Sequence, residues 1–143
     1  MRMSHYRSYR KAFSGASSVN WENTIVIVRN KTMRILIVDD EFLLVRALQL
    51  FFTEAGHDVV GTAGTLARAF ALIDATQIDV AVLDVNLNGV SAEPVFKRLS
   101  DLRIPTVLIS GYSQSQRPGW VTAPSLVKPF EAEELLKAIE ALG

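Results

Sequence analysis

Between Arg34 and Val127 the chain carries five short apolar runs separated by stretches of helical period, and four of these runs lead directly into a polar side chain. The runs are Arg34-Ile-Leu-Ile-Val38, Val59-Val60, Val80-Ala-Val-Leu83, Thr106-Val-Leu-Ile109 and Ser125-Leu-Val127. Strands with no polar alternation are buried on both faces, and strands that alternate with helices form parallel sheets between two helix layers. This pattern predicts an α/β fold, a five-stranded parallel doubly wound sheet.

The intervening segments have helix signals. Phe42, Val45, Leu48, Phe51 and Phe52 mark a first helix, and Gly56 stands where it should stop. Thr65 is a candidate N-cap for a second, with Leu66, Phe70 and Ile73 on one face. Asn88-Gly89 reads as a turn. Ser91 is a candidate cap for a third helix, with Pro94 in its first turn and Val95, Leu99 and Leu102 as its stripe. A last helix turns Ala132, Leu135, Leu136, Ile139 and Leu142 inward, with Glu131, Glu133 and Glu134 at its positive end.

In an open α/β sheet, ligands bind beyond the carboxyl ends of the strands. Strand one ends in Asp39-Asp40, strand three in Asp84, strand four in Ser110 and strand five in Lys128. Taken singly, each is an ordinary cap, turn or solvated side chain, and Glu41 reads as a helix N-terminal charge. Together they place three carboxylates, a hydroxyl and an ammonium on one rim. Crowded carboxylates repel one another, and a hard divalent cation relieves that. An oxygen-only ligand set points to Mg²⁺. Such a cation would let Asp84 attack a phosphorus, with Lys128 and Ser110 holding phosphoryl oxygens.

These residues resemble the receiver domains of bacterial two-component response regulators. The matching stretches are Ile35-Leu-Ile-Val-Asp39-Asp40-Glu41, Val82-Leu-Asp84-Val-Asn86-Leu-Asn88-Gly89, Val107-Leu-Ile-Ser110-Gly111 and Val127-Lys128-Pro129-Phe130. The resemblance spans residues 34 to 143 and implies the strand order 2-1-3-4-5. It implies that Asp84 is the phosphoacceptor and Asp40 a direct Mg²⁺ ligand, with Asp39 acting through water. Asn86 would offer its backbone carbonyl to the metal, Ser110 would be the switch hydroxyl and Lys128 the phosphate-sensing lysine before a cis proline. The implied partners are a sensor histidine kinase or histidine phosphotransfer protein and a downstream protein target, and the implied location is the cytoplasm. The implied chemistry is confined to the domain's own phosphorylation and dephosphorylation, with no separate enzyme substrate.

Two features depart from the family pattern. Ser125 stands where an aromatic switch residue is common, and the Gly111 to Ala123 segment is polar and broken where a helix is expected. Tyr112 is the candidate replacement aromatic, and the segment, with Trp120 inside it, the candidate moving element. Two other readings stay open. A phosphatase of the haloacid-dehalogenase type would need Asp-x-Asp, but Asn86 holds the second position. A receiver fold that signals without phosphorylation usually lacks an acid or the lysine, which are all present.

Composition limits the rest. With 49% apolar residues the chain can fill a core, and with no cysteine it forms neither disulfides nor thiolate zinc sites. That suits a reducing cytoplasm, and no apolar run approaches the ~20 residues of a membrane span. The net charge of zero divides unevenly: residues 1–33 hold six basic side chains against Glu22 alone, and the remainder nine basic against fourteen acidic. Residues 1–32 are expected to be a disordered, dispensable extension, with Met33 a candidate start. Residues 33–143 are expected to form a stand-alone receiver with no DNA-binding domain and no nucleic-acid footprint of its own.

Overall fold

A computed structural model describes residues 31–111 and 117–142. The expected disordered extension, with the short apolar run Thr24-Ile-Val-Ile-Val28 that could form a strand, therefore lies almost entirely outside the described residues, as does Tyr112.

Five parallel strands form one sheet: β1 (Arg34–Val38), β2 (Asp58–Ala63), β3 (Val80–Asp84), β6 (Thr106–Ser110) and β7 (Ser125–Val127). Their order is β2-β1-β3-β6-β7. The remaining strands, β4 (Asn86–Leu87) and β5 (Val90–Ser91), make a separate antiparallel hairpin. Without that hairpin in the count, the order is the expected 2-1-3-4-5. The helices are α1 (Phe42–Glu54), α2 (Leu66–Ala75), α3 (Glu93–Asp101) and α4 (Ala132–Leu142). No helix among the described residues is long and apolar enough to cross a membrane.

Alternate residues of the apolar strands feed two cores. Leu36, Val38, Leu83 and Leu108 meet Ala69, Ile73, Val95 and Leu99 of α2 and α3. Ile35, Ile37, Val82 and Ile109 meet Val45, Leu48 and Phe52 of α1 and Leu135 and Ile139 of α4. Full burial of a side chain of this size contributes about 1.5–3 kcal/mol, so the central strands anchor the fold.

Local signals set the helix ends. Gly56 takes φ +95°, its N–H reaches the Thr53 carbonyl, and the His57 N–H reaches that of Phe52. These paired bonds close α1 in a conformation that favours glycine. Thr65 caps α2 by accepting from the Arg68 N–H at 3.2 Å. The turn at Asn88 (φ 54°) and Gly89 (φ 85°) joins β4 to β5 with both residues left-handed, as a two-residue hairpin prefers.

Three expectations shift. The N-cap of α3 is Ala92, and Ser91 Oγ instead accepts from the Glu93 N–H at 3.2 Å. Leu102 is the C-cap of α3 rather than part of its stripe, and is exposed. Phe42 is 77% exposed because it sits in the first turn of α1, at the rim where the sheet ends. Of the Gly111 to Ala123 segment, the described part forms a turn closed by the Val121 N–H on the Pro118 carbonyl at 3.1 Å. Val121 is buried, and the Trp120 ring lies 5.5 Å from that of Phe96 on α3.

Candidate functional site

The strand register aligns the polar run ends. Val38 pairs with Leu83, Asp84 with Ile109 and Ser110 with Val127, so the residues that end or follow these strands share one rim. Asp39, Asp84 and Ser110 are all buried there. Asp39 Oδ1 accepts from the Glu41 N–H at 2.8 Å, and Asp84 Oδ1 from the Asn86 N–H at 3.1 Å. The Ser110 carbonyl accepts the Lys128 N–H at 2.7 Å, and the Lys128–Pro129 peptide is cis, as expected.

Lys128 is the hub. Its Nζ lies 2.9 Å from Asp84 Oδ2, 2.9 Å from Asp39 Oδ2 and 2.5 Å from Glu41 Oε1. The Asp84 and Glu41 contacts are aligned hydrogen bonds. Asp39 Oδ2 faces the ammonium as an ion pair without that alignment, and is otherwise a buried oxygen with no hydrogen-bond partner. An open cavity of about 320 Å³ lies above, lined by Asp40, Glu41, Asp84, Asn86, Asn88, Gly111 and Lys128.

The charges act on one another. Burial pushes the Asp84 carboxyl up from its ordinary range, and the nearby Asp39 charge adds to this, against the Asn86 amide and Lys128. Burial alone would lower Lys128, but the carboxylates of Glu41, Asp84 and Asp39 outweigh it and hold the ammonium well above its usual range. Lys128 is therefore a fixed positive charge at neutral pH.

Asp39, Asp84 and Lys128 are thus in direct contact, with Ser110 at the neighbouring strand end. Asn86 and Asp40 line the cavity, but the three carboxylates whose oxygens come within 4.8 Å of one another are Asp39, Glu41 and Asp84. Glu41, read from sequence as a helix charge, belongs to the site. The missed signal is its place as the third consecutive acid at a strand end. The donor set of carboxylate oxygens and the buried, unaligned Asp39 Oδ2 fit a hard divalent cation. His57 is buried away from this site. Its Nδ1 accepts the Met33 N–H at 3.1 Å, so Nε2 carries the proton toward Glu140 Oε2, also at 3.1 Å.

Residues 35–140 match the family profile described as response regulator receiver domain. The chain belongs to that family. Phosphorylation and Mg²⁺ binding are typical of it, and its members interact with histidine kinases or phosphotransfer proteins. Among solved receivers, the chain is 36% identical to SdrG from Sphingomonas melonis Fr1, with a TM-score of 0.69, covering 80% of this chain and 98% of that one. It is 26% identical to TrrA from Thermotoga maritima, solved with Mg²⁺ and BeF, with a TM-score of 0.67, covering 78% and 100%. Among curated proteins, it is 34% identical over 119 residues to the DNA-binding transcriptional activator DevR/DosR of Mycobacterium tuberculosis, covering 78% of this chain and 54% of that protein. The transcriptional regulatory protein PdtaR of the same species is 33% identical over 116 residues, covering 75% and 55%. The chain spans about half the length of these curated relatives.

Proposed function

We propose that this receiver takes a phosphoryl group from a histidine kinase or histidine phosphotransfer protein onto Asp84 and signals through a change in protein–protein binding. The observation that carries this reading is the 2.9 Å contact of Lys128 Nζ with Asp84 Oδ2 beneath an open cavity. An Asp84 oxygen forms the bond to phosphorus while the bond to the donor nitrogen breaks, and the donor histidine leaves with that electron pair. As the charge of Asp84 moves onto the phosphoryl oxygens, Lys128 follows it, and the Ser110 hydroxyl donates to a second oxygen.

Mg²⁺ supplies the charge neutralisation that lets an anion attack an anion. Asp39, Asp40 and Asp84 and the Asn86 carbonyl are the groups that would hold it. The asparagine at position 86 supports self-limited chemistry over hydrolysis of a separate substrate, because the second acid of an Asp-x-Asp phosphatase is missing. The reading places the protein in the cytoplasm, where kinase and target meet, with a protein target downstream. Incubation with phosphorylated histidine kinases, with Mg²⁺ or with a chelator, tests it. Mg²⁺-dependent transfer to Asp84 is expected, and failure with every kinase of the source organism would overturn it.

A further inference from the structure

The shortest ion pair at the site is to its most exposed carboxylate. Lys128 Nζ lies 2.5 Å from Glu41, whose side chain is 58% exposed, against 2.9 Å from Asp39 and Asp84, whose side chains are 0% and 7% exposed. Glu41 is the N-cap residue of α1, yet its side chain makes no capping hydrogen bond. Its carboxylate faces the lysine, not the helix end. From this geometry we infer that Glu41 is a positioning residue that competes with the phosphoryl group for Lys128 and so sets how firmly that group is held. The inference rests on the receiver chemistry proposed above.

An ammonium has three protons to give, and three carboxylates surround this one. A phosphoryl oxygen therefore meets Lys128 in competition with the carboxylates that already hold it. Asp84 loses its carboxylate charge when its oxygen bonds to phosphorus, and Asp39 is free of the lysine once its charge serves a divalent cation. Glu41, which is not among the groups proposed to hold Mg²⁺, neither bonds to phosphorus nor is taken up by the cation, and it draws Lys128 toward the mouth of the cavity. An exposed pair of this kind has a modest strength, enough to divide the lysine between two anions without capturing it.

The test is the apparent affinity for beryllofluoride, a phosphoryl mimic, at saturating Mg²⁺, measured by calorimetry. Glu41→Gln is expected to bind it roughly two- to fivefold more tightly, the range of an exposed ion pair, with an unchanged melting temperature. Glu41→Asp keeps the charge but is one methylene too short to hold Lys128. It should therefore behave like Glu41→Gln. Unchanged or weaker binding by Glu41→Gln would overturn the inference. So would Glu41→Asp matching wild type while Glu41→Gln binds more tightly, since the effect would then be the local field alone. Failure of wild type to bind beryllofluoride would instead sink the receiver chemistry itself.

Discussion

The ammonium of Lys128 stands 2.9 Å from Asp84 Oδ2, although the two residues are 44 positions apart and β6 lies between their strands. The pair exists because β3, β6 and β7 end in register, so a long side chain from the last strand can lean across its neighbour. Lys128 is the cation the site holds without a metal, and it compensates only part of the acidic charge. The first two predictions follow from that imbalance.

Asp84→Asn should stabilise the metal-free protein at neutral pH, by on the order of 1 kcal/mol or a few degrees of melting temperature. Asn keeps one acceptor oxygen, enough for either Lys128 or the Asn86 amide but not both, and the charge it removes from the cluster outweighs the bond it gives up. The sign follows from the raised Asp84 pKa. A group raised in the folded state contributes its full stability below its unfolded value, here 3.8, and that stability is lost as pH climbs through the folded value. The advantage of Asp84→Asn should therefore shrink as pH falls toward 3.8. Thermal melts across pH in a chelator check this, and equal stability at pH 7 would contradict it.

Mg²⁺ affinity should fall about tenfold or more for Asp40→Asn, with a smaller loss for Asp39→Asn, following the direct and water-mediated roles that the family resemblance implies. Both variants should gain stability without metal, because each relieves repulsion around Lys128. Calorimetric titration of the two variants measures the ranking. A larger loss for Asp39→Asn would make its buried Oδ2 the direct ligand.

His57 joins the start of β1 to α4 through Met33 and Glu140. His57→Ala should cost about 1–3 kcal/mol, since it strands the buried Met33 N–H and leaves a cavity. Phosphorylation of Asp84 should persist, because the residue lies at the opposite end of β1 from Asp39. Denaturant melts and labelling of the same sample separate the two effects.

The sheet and most of the site were legible because each rests on local pattern. The central strands are unbroken apolar runs, and Asp39, Asp84, Ser110 and Lys128 each follow one directly. Glu41 was not legible as a site residue, since its partner Lys128 lies 87 positions away and its own neighbours suggest only a helix start. Phe42 fits the period of α1 but not its burial, because periodicity cannot say where the sheet ends. The role of His57 has no local signal in the sequence, because its two partners lie 24 and 83 positions away. Ser125 is the first residue of β7 and carries no aromatic ring, and its Oγ accepts from Arg117 at 3.1 Å.

Intact-mass measurement after incubation with Mg²⁺ and a small phosphodonor tests the central claim most directly. The wild-type protein should gain the mass of one phosphoryl group, and Asp84→Asn should gain none. Undiminished labelling of Asp84→Asn, or no labelling of wild type, would contradict the assignment of Asp84 as the phosphoacceptor.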